Sequence, residues 1–347
     1  MNIQDLIRPT IKALKPYSSA RDEFQGATDD MVFLDANENP FENGVNRYPD
    51  PQQRHLKSVL SEIKGVPTKN ILLGNGSDEV LDLVFRAFCE PNVDNIITLP
   101  PTYGMYSVLA NINAIEIKAV QLSDNFQPQV DRILEATNSQ SKILFLCSPN
   151  NPTGNSFNTD EVETLLNKFK GIVVIDEAYI DFSTEKSWIY RLEEFPNLIV
   201  TQTLSKAYGM AGIRLGICYA STEIISVLNN IKPPYNVNEL TQVKAAEQLN
   251  IKNLAKNQIN DILKERDVLI SELMGVDFVS KVYPSDANFV LAKVDDAAKR
   301  YNQLIEKGIV IRNRTTQPGC ENCLRLTVGT SKENEILIKT LLLISKS

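Results

Sequence analysis

Short, unbroken apolar runs punctuate the first two thirds of the chain, and between them apolar residues return every three or four positions. Runs of this kind suit strands buried on both faces, while the three-to-four spacing suits amphipathic helices. The runs predict strands at Ile71–Leu73, Asn95–Leu99, Ala114–Val120, Lys142–Cys147, Ile172–Ile175, Leu198–Thr203 and Leu215–Tyr219. The periodic stretches predict helices at Asp78–Cys89, Tyr103–Ile112, Thr159–Phe169 and Thr222–Asn230. Strands alternating with helices predict an α/β fold, a mainly parallel sheet covered by helices on both faces. The pattern then changes. Glu239–Gly275 reads as long and helical, followed by the β-like runs Phe289–Val294, Ile309–Arg312 and Leu324–Val328 with helices around them, which predicts a smaller α+β domain. Neither repeats nor a low-complexity linker separate the two, so they are expected to pack together.

Composition narrows the function classes. The chain has 347 residues, 43% of them hydrophobic and 23% charged, ordinary values for a globular protein with room for two domains. Its formal charge of -7, with basic residues scattered, argues against nucleic acid as a partner. No apolar run approaches a membrane span, and the first residues, with Asp5, Arg8 and Lys12, lack a signal peptide's apolar region. A cytoplasmic location is the expectation. The single histidine, His55, disfavours most hydrolase triads and histidine-based metal sites. Five cysteines are an odd number; Cys89, Cys147 and Cys218 sit in apolar segments, as core thiols do. Cys320 and Cys323 form a CxxC that lacks a second pair of zinc ligands, so no metal is expected.

In a parallel sheet, ligands bind beyond the carboxyl ends of the strands, so residues just after the apolar runs carry the chemistry. After Ile71–Leu73 comes Gly74-Asn75-Gly76-Ser77-Asp78-Glu79. It reads either as a phosphate cradle of backbone N–H groups at a helix start or as plain capping by Ser77 or Asp78. A dinucleotide-binding turn would need a further glycine. After Ile143–Cys147 comes Ser148-Pro149-Asn150-Asn151-Pro152-Thr153-Gly154, whose prolines make a rigid turn presenting Asn151 as a neutral donor. Ile172–Ile175 delivers Asp176-Glu177-Ala178-Tyr179; an acid at a strand exit calls for a cation.

The richest turn is TLSKAYGMAGIRLG, from Thr203 to Gly216, directly after Leu198-Ile199-Val200. It holds the hydroxyls of Thr203 and Ser205, the amine of Lys206, the glycines Gly209 and Gly212, and the guanidinium of Arg214. A lysine crowded by a second cation and by burial has its pKa lowered, and a neutral amine is what Schiff-base chemistry needs. The hydroxyls and Arg214 suit a phosphate. A solvated loop is the competing reading.

Taken together and in order, these motifs resemble the fold-type I, pyridoxal-phosphate-dependent aminotransferases of the aspartate aminotransferase superfamily from end to end. The closest resemblance is to the histidinol-phosphate aminotransferase family, through LKPYSSAR (Leu14–Arg21), LDANENP (Leu34–Pro40), RYPDP (Arg47–Pro51), PTYGMY (Pro101–Tyr106) and LRLTVGT (Leu324–Thr330). The resemblance implies a seven-stranded, mostly parallel sheet in a large domain over residues 46–240. It also implies a small domain over 241–347, and an arm over 1–45 that contributes part of the small domain. The cofactor implied is pyridoxal 5'-phosphate. Lys206 would carry it as a Schiff base and shuttle the proton, Asp176 would pair with its ring nitrogen, and Tyr179 and Asn151 would bond its phenolic oxygen. Tyr103 would stack on the ring. Gly76, Ser77, Asp78, Thr203, Ser205 and Arg214 would hold the phosphate, joined by Tyr48 of a second copy in a homodimer.

On the substrate side, the resemblance assigns Arg325 to the glutamate carboxylate and Arg312 to a substrate phosphate, with Tyr17 closing over that phosphate and Asn37 also at the substrate. Arg314 lies two residues beyond Arg312, on the same side of a strand, so which of the two meets the phosphate stays open. The implied reaction exchanges an amino group between histidinol phosphate and 2-oxoglutarate, a late step of histidine biosynthesis. An aromatic aminotransferase and a decarboxylase of phosphorylated threonine are the rivals on the same scaffold. A cofactor-sensing regulator is the rival from another class, and a first motif beginning at Leu14 counts against it.

Overall fold

The computed structural model describes residues 2–15 and 31–345. Tyr17 and most of the LKPYSSAR motif lie outside the described residues. Seven strands form the larger sheet: β1 (Ile71–Asn75), β2 (Asn95–Thr98), β3 (Glu116–Ala119), β4 (Ser141–Cys147), β5 (Ile172–Asp176), β6 (Leu198–Thr203) and β7 (Leu215–Ala220). Their order is β1-β7-β6-β5-β4-β2-β3, and β7 alone runs against its neighbours. The chain folds this way because the central strands carry continuous apolar runs, at residues 143–147, 172–175 and 198–200, that need cover on both faces. Ile172 and Val174 of β5 face one core with the helices Gly76–Phe88, Met105–Ile112 and Thr222–Ile231. Val173 and Ile175 face the other, with Arg54–Lys64, Thr159–Lys168 and Glu239–Leu249. Each such side chain contributes roughly 1.5–3 kcal/mol by burial.

The smaller sheet is antiparallel throughout: β8 (Val279–Val282), β9 (Phe289–Val294), β10 (Arg312–Asn313) and β11 (Cys323–Thr327), in the order β10-β11-β9-β8. The helices Leu254–Leu273, Ala297–Glu306 and Ser331–Ser345 close a separate apolar core over it.

Three departures from the sequence pattern have local causes. The stretch Glu239–Gly275 is two helices, Glu239–Leu249 and Leu254–Leu273, interrupted where Asn253 adopts φ 62. Asparagine tolerates that left-handed backbone. The break lets the first helix bury Ala245 and Ala246 on the large sheet and the second bury Leu269 and Leu273 on the small one. The strand expected at Ala114–Val120 shrinks to Glu116–Ala119, because Ala114 has φ 53 and belongs to the preceding turn. The helix after β1 starts at Gly76 with Asn75 as its N-cap and no side-chain cap bond, so neither Ser77 nor Asp78 caps it.

Candidate active site

The carboxyl ends of β4, β5 and β6, the start of the helix Gly76–Phe88 and the β10–β11 wall surround one cleft of about 480 Å³. Gly76, Ser77, Asp78, Tyr103, Asn151 and Asp176 line it, as do Tyr179, Thr203, Ser205, Lys206, Arg214, Arg312 and Arg325. Residues separated by as many as 249 positions therefore meet, which follows from parallel strands ending on the same side of the sheet. Tyr48 and Asn37 lie elsewhere in this chain, beside each other in a second pocket. There the half-exposed Tyr48 ring stacks on Tyr235 at 4.5 Å.

One end of the cleft is built for an anion. The first turn of the helix Gly76–Phe88 brings its N–H groups and the positive end of its dipole to the cleft. Arg214 takes the left-handed backbone (φ 55, ψ 59), and its carbonyl accepts the Gly76 N–H at 2.8 Å. Its guanidinium stands 3.9 Å from Asp78 Oδ2, whose other oxygen accepts the Tyr103 hydroxyl at 3.1 Å. Thr203 Oγ1 accepts the Ser205 N–H at 3.1 Å, fixing the turn that carries both hydroxyls.

The glycine that matters most here is Gly216, in β7. A Cβ on it would come within 2.2 Å of Gly76 C and Ser77 N. Gly209 is needed for its positive φ of 65, but Gly212 has neither a positive φ nor any atom within 4 Å of a Cβ. Gly216→Ala is therefore expected to push β7 from the cup and lower stability by about 1–3 kcal/mol. Gly212→Ala should stay within about 0.5 kcal/mol. Thermal unfolding of the two variants checks this; equal melting temperatures would overturn the crowding argument.

The base of the cleft carries an acid. Asp176 is 2% exposed and accepts from Tyr106 Oη at 2.8 Å and from the Ala178 N–H at 3.2 Å. Burial raises its pKa despite these bonds, and among the described residues it has no ion pair. Tyr106 was not picked out from the sequence, because an aromatic three residues beyond Tyr103 reads as core. It is core, stacked on Phe145 at 4.6 Å, yet its hydroxyl orients the acid. Next to it, the buried Glu177 accepts from Trp188 N–H at 2.7 Å and Gln202 Nε2 at 2.8 Å, tying the β5 exit to β6. Burial pushes its carboxyl up to about 7.

Among the described residues, Lys206 is the only lysine lining the cleft. Burial lowers its pKa, and the charges of Arg325 and Arg214 lower it further, the effect expected from its turn. Its amine lies 5.8 Å from the centre of the Tyr179 ring. Burial raises the Tyr179 hydroxyl, and Arg325 and Arg314 oppose the rise. Arg325 Nη1 donates to Asn151 Oδ1, and its guanidinium lies 5.1 Å from the Phe289 ring. The Asn151–Pro152 peptide is cis, as are Ser148–Pro149 and Pro100–Pro101. Thr102, Arg314 and Gln317 add further polar groups to the lining beyond the residues assigned from sequence. No three His, Cys, Asp or Glu side chains among the described residues come together as a metal site.

An anion cup, a buried acid without an ion pair among the described residues and a lysine amine with a lowered pKa thus face one cleft. The chain belongs to the class I and II aminotransferases, whose family profile matches residues 26–341. It is 65% identical, over 345 residues and 99% of both chains, to a histidinol-phosphate aminotransferase of Flavobacterium johnsoniae. The crystal structure of the histidinol-phosphate aminotransferase from Clostridium acetobutylicum superposes with a TM-score of 0.79 at 24% identity, over 87% of this chain and 91% of that one. The Sinorhizobium meliloti enzyme of the same name, solved in complex with pyridoxal-5'-phosphate, gives 0.79 at 22% identity, over 86% of this chain and 83% of its own.

Proposed function

We propose that the chain exchanges an amino group between histidinol phosphate and 2-oxoglutarate, giving imidazole acetol phosphate and glutamate, with pyridoxal 5'-phosphate as cofactor. In the opposite direction this makes histidinol phosphate late in L-histidine biosynthesis. The observation that carries the chemistry is Lys206, whose depressed amine shares one cleft with an anion cup and an acid lacking a cation. The names of relatives such as the F. johnsoniae enzyme, matched over nearly the whole chain, support the substrate. When bound, the cofactor supplies a carbonyl that accepts the amino group and a ring that draws electrons from the substrate Cα.

The residues then divide the work. The cup at Gly76–Asp78, with Thr203, Ser205 and Arg214, holds the phosphate; Asp176 keeps a proton on the ring nitrogen. Lys206, its pKa lowered by burial and by the charges of Arg325 and Arg214, takes the proton from the substrate Cα and returns it. Asn151 Oδ1 is committed to Arg325, which leaves its Nδ2 to donate, with Tyr179 Oη, to a phenolic oxygen. Arg325 offers its remaining N–H groups to a carboxylate or phosphate. Tyr103 covers the ring. Tyr17 and Asn37 join the substrate side, and Tyr48 reaches the cofactor phosphate from the second copy in a homodimer. Tyr48 lies outside its own chain's main cleft, which supports that role across the dimer. No described helix is long and apolar enough to cross a membrane, and we place the enzyme in the cytoplasm.

The test is the visible absorbance of the holoenzyme. Histidinol phosphate alone should bleach it, and 2-oxoglutarate should restore it. Bleaching by glutamate but not by histidinol phosphate would keep the amino transfer and remove the substrate. Carbon dioxide release from phosphothreonine would favour the decarboxylase.

A further inference from the structure

The wall opposite Lys206 carries more positive charge than a carboxylate requires. Arg312 in β10 lies directly across from Arg325 in β11, and the Arg314 N–H donates to the Cys323 carbonyl at 2.8 Å, so the antiparallel register continues past β10. Residues two apart on one strand and the residue facing them share a face, which puts Arg312, Arg314 and Arg325 on the same side. All three line the cleft. Like charges placed opposite one another destabilise a sheet, and among the described residues none of the three forms an ion pair.

Arg314 differs from Arg312 in its setting. Arg312 is exposed, whereas Arg314 is partly buried, and its Nε is sealed from solvent with no hydrogen-bond partner. Arg325 Nε is in the same condition. Burial and the Arg312 charge lower the Arg314 pKa, and Arg314 is the largest charge acting on Arg325. The loop after it is fixed by Gln317 N–H donating to the Arg314 carbonyl at 2.9 Å, so the side chain is presented by an ordered turn. An unpaired N–H in such a place gains most from an anion that accepts several donors at once.

We propose that Arg314 is a substrate-recognition residue, the third guanidinium of a subsite that selects phosphate-monoester dianions over carboxylates. The assignment rests on the aminotransferase reading above and adds the determinant of substrate class. A monoanionic carboxylate is satisfied by the single fork of Arg325; a dianion with three acceptor oxygens can engage all three arginines.

The experiment uses holoenzyme, in which the cofactor fills the other phosphate cup, and compares wild type with Arg314→Gln and Arg314→Lys. Inorganic phosphate is the probe, measured as an inhibitor of the glutamate half-reaction, beside the KM and kcat for histidinol phosphate. Arg314→Gln should weaken phosphate inhibition and raise the KM for histidinol phosphate about tenfold or more. The glutamate half-reaction should lose clearly less, since Arg325 retains its fork for the α-carboxylate. Lysine, which keeps the charge but not the fork, should restore part of the loss. The apoprotein's melting temperature should not fall, because a repelling charge is removed. Unchanged phosphate inhibition, or equal losses with glutamate and histidinol phosphate, would overturn the assignment. If histidinol phosphate is not turned over while Arg314→Gln still relieves phosphate inhibition, the subsite stands and the substrate reading fails.

Discussion

Replacing Lys206 with alanine is expected to slow amino transfer by roughly 10⁴-fold or more, above the usual contribution of a single positioned proton-transfer group because a covalent attachment is lost too. Among the described residues no other lysine lines the cleft, so none of their amines stands ready to substitute. The fold should be indifferent to the change. No hydrogen bond or ion pair anchors the Lys206 side chain among the described residues, so stability should move by less than about 0.5 kcal/mol. Single-turnover rates with a saturating amino donor, read beside thermal unfolding, separate the two effects. A variant that retained more than about a hundredth of the rate would mean that another group moves the proton.

Asp176→Asn should produce opposite effects with and without cofactor. In the proposed role the acid pairs with a protonated ring nitrogen of the holoenzyme; removing one partner of a buried charge pair costs about 3–5 kcal/mol, a rate loss of roughly 10²- to 10⁴-fold. Without cofactor, the buried carboxylate has no cation and burial raises its pKa above the ordinary 3.8. The folded apoprotein thus holds that proton more tightly than the unfolded chain does. The stability from this group is complete below the ordinary value and is lost as pH rises through the raised one. The Asn variant has no such loss. The apoprotein melting temperature of Asp176→Asn should therefore gain on the wild type as pH rises above the ordinary 3.8, while its transamination collapses. A wild-type apoprotein that gained stability relative to the variant as pH rose would show that a cation already pairs with Asp176.

Most of the large sheet was legible because its central strands are buried on both faces and therefore carry unbroken apolar runs. That signal survives without knowing any neighbour. The site was legible for a related reason. Once the strands are parallel, the residues following each run share one side, and Asp176, Asn151 and Lys206 occupy those places. The break at Asn253 was less visible, because apolar spacing continues across it and only the change of packing partner, from large sheet to small, makes two helices of one periodic stretch. Tyr106 shows the limit of pattern reading: its ring obeys core periodicity, while its hydroxyl serves the acid of a distant strand.

The sequence by itself determined the strand-and-helix alternation, the order of the turns and the chemical groups each turn presents. These are local properties, set by the period of apolar residues and by the glycines, prolines and acids that end each run. Only the tertiary structure decided that Gly216 presses on Gly76, that Arg312 lies across from Arg325 with Arg314 beside it, and that Tyr106 reaches Asp176. Those relations depend on strand register and sheet order, which bring together positions far apart in the chain and leave no periodic trace along it.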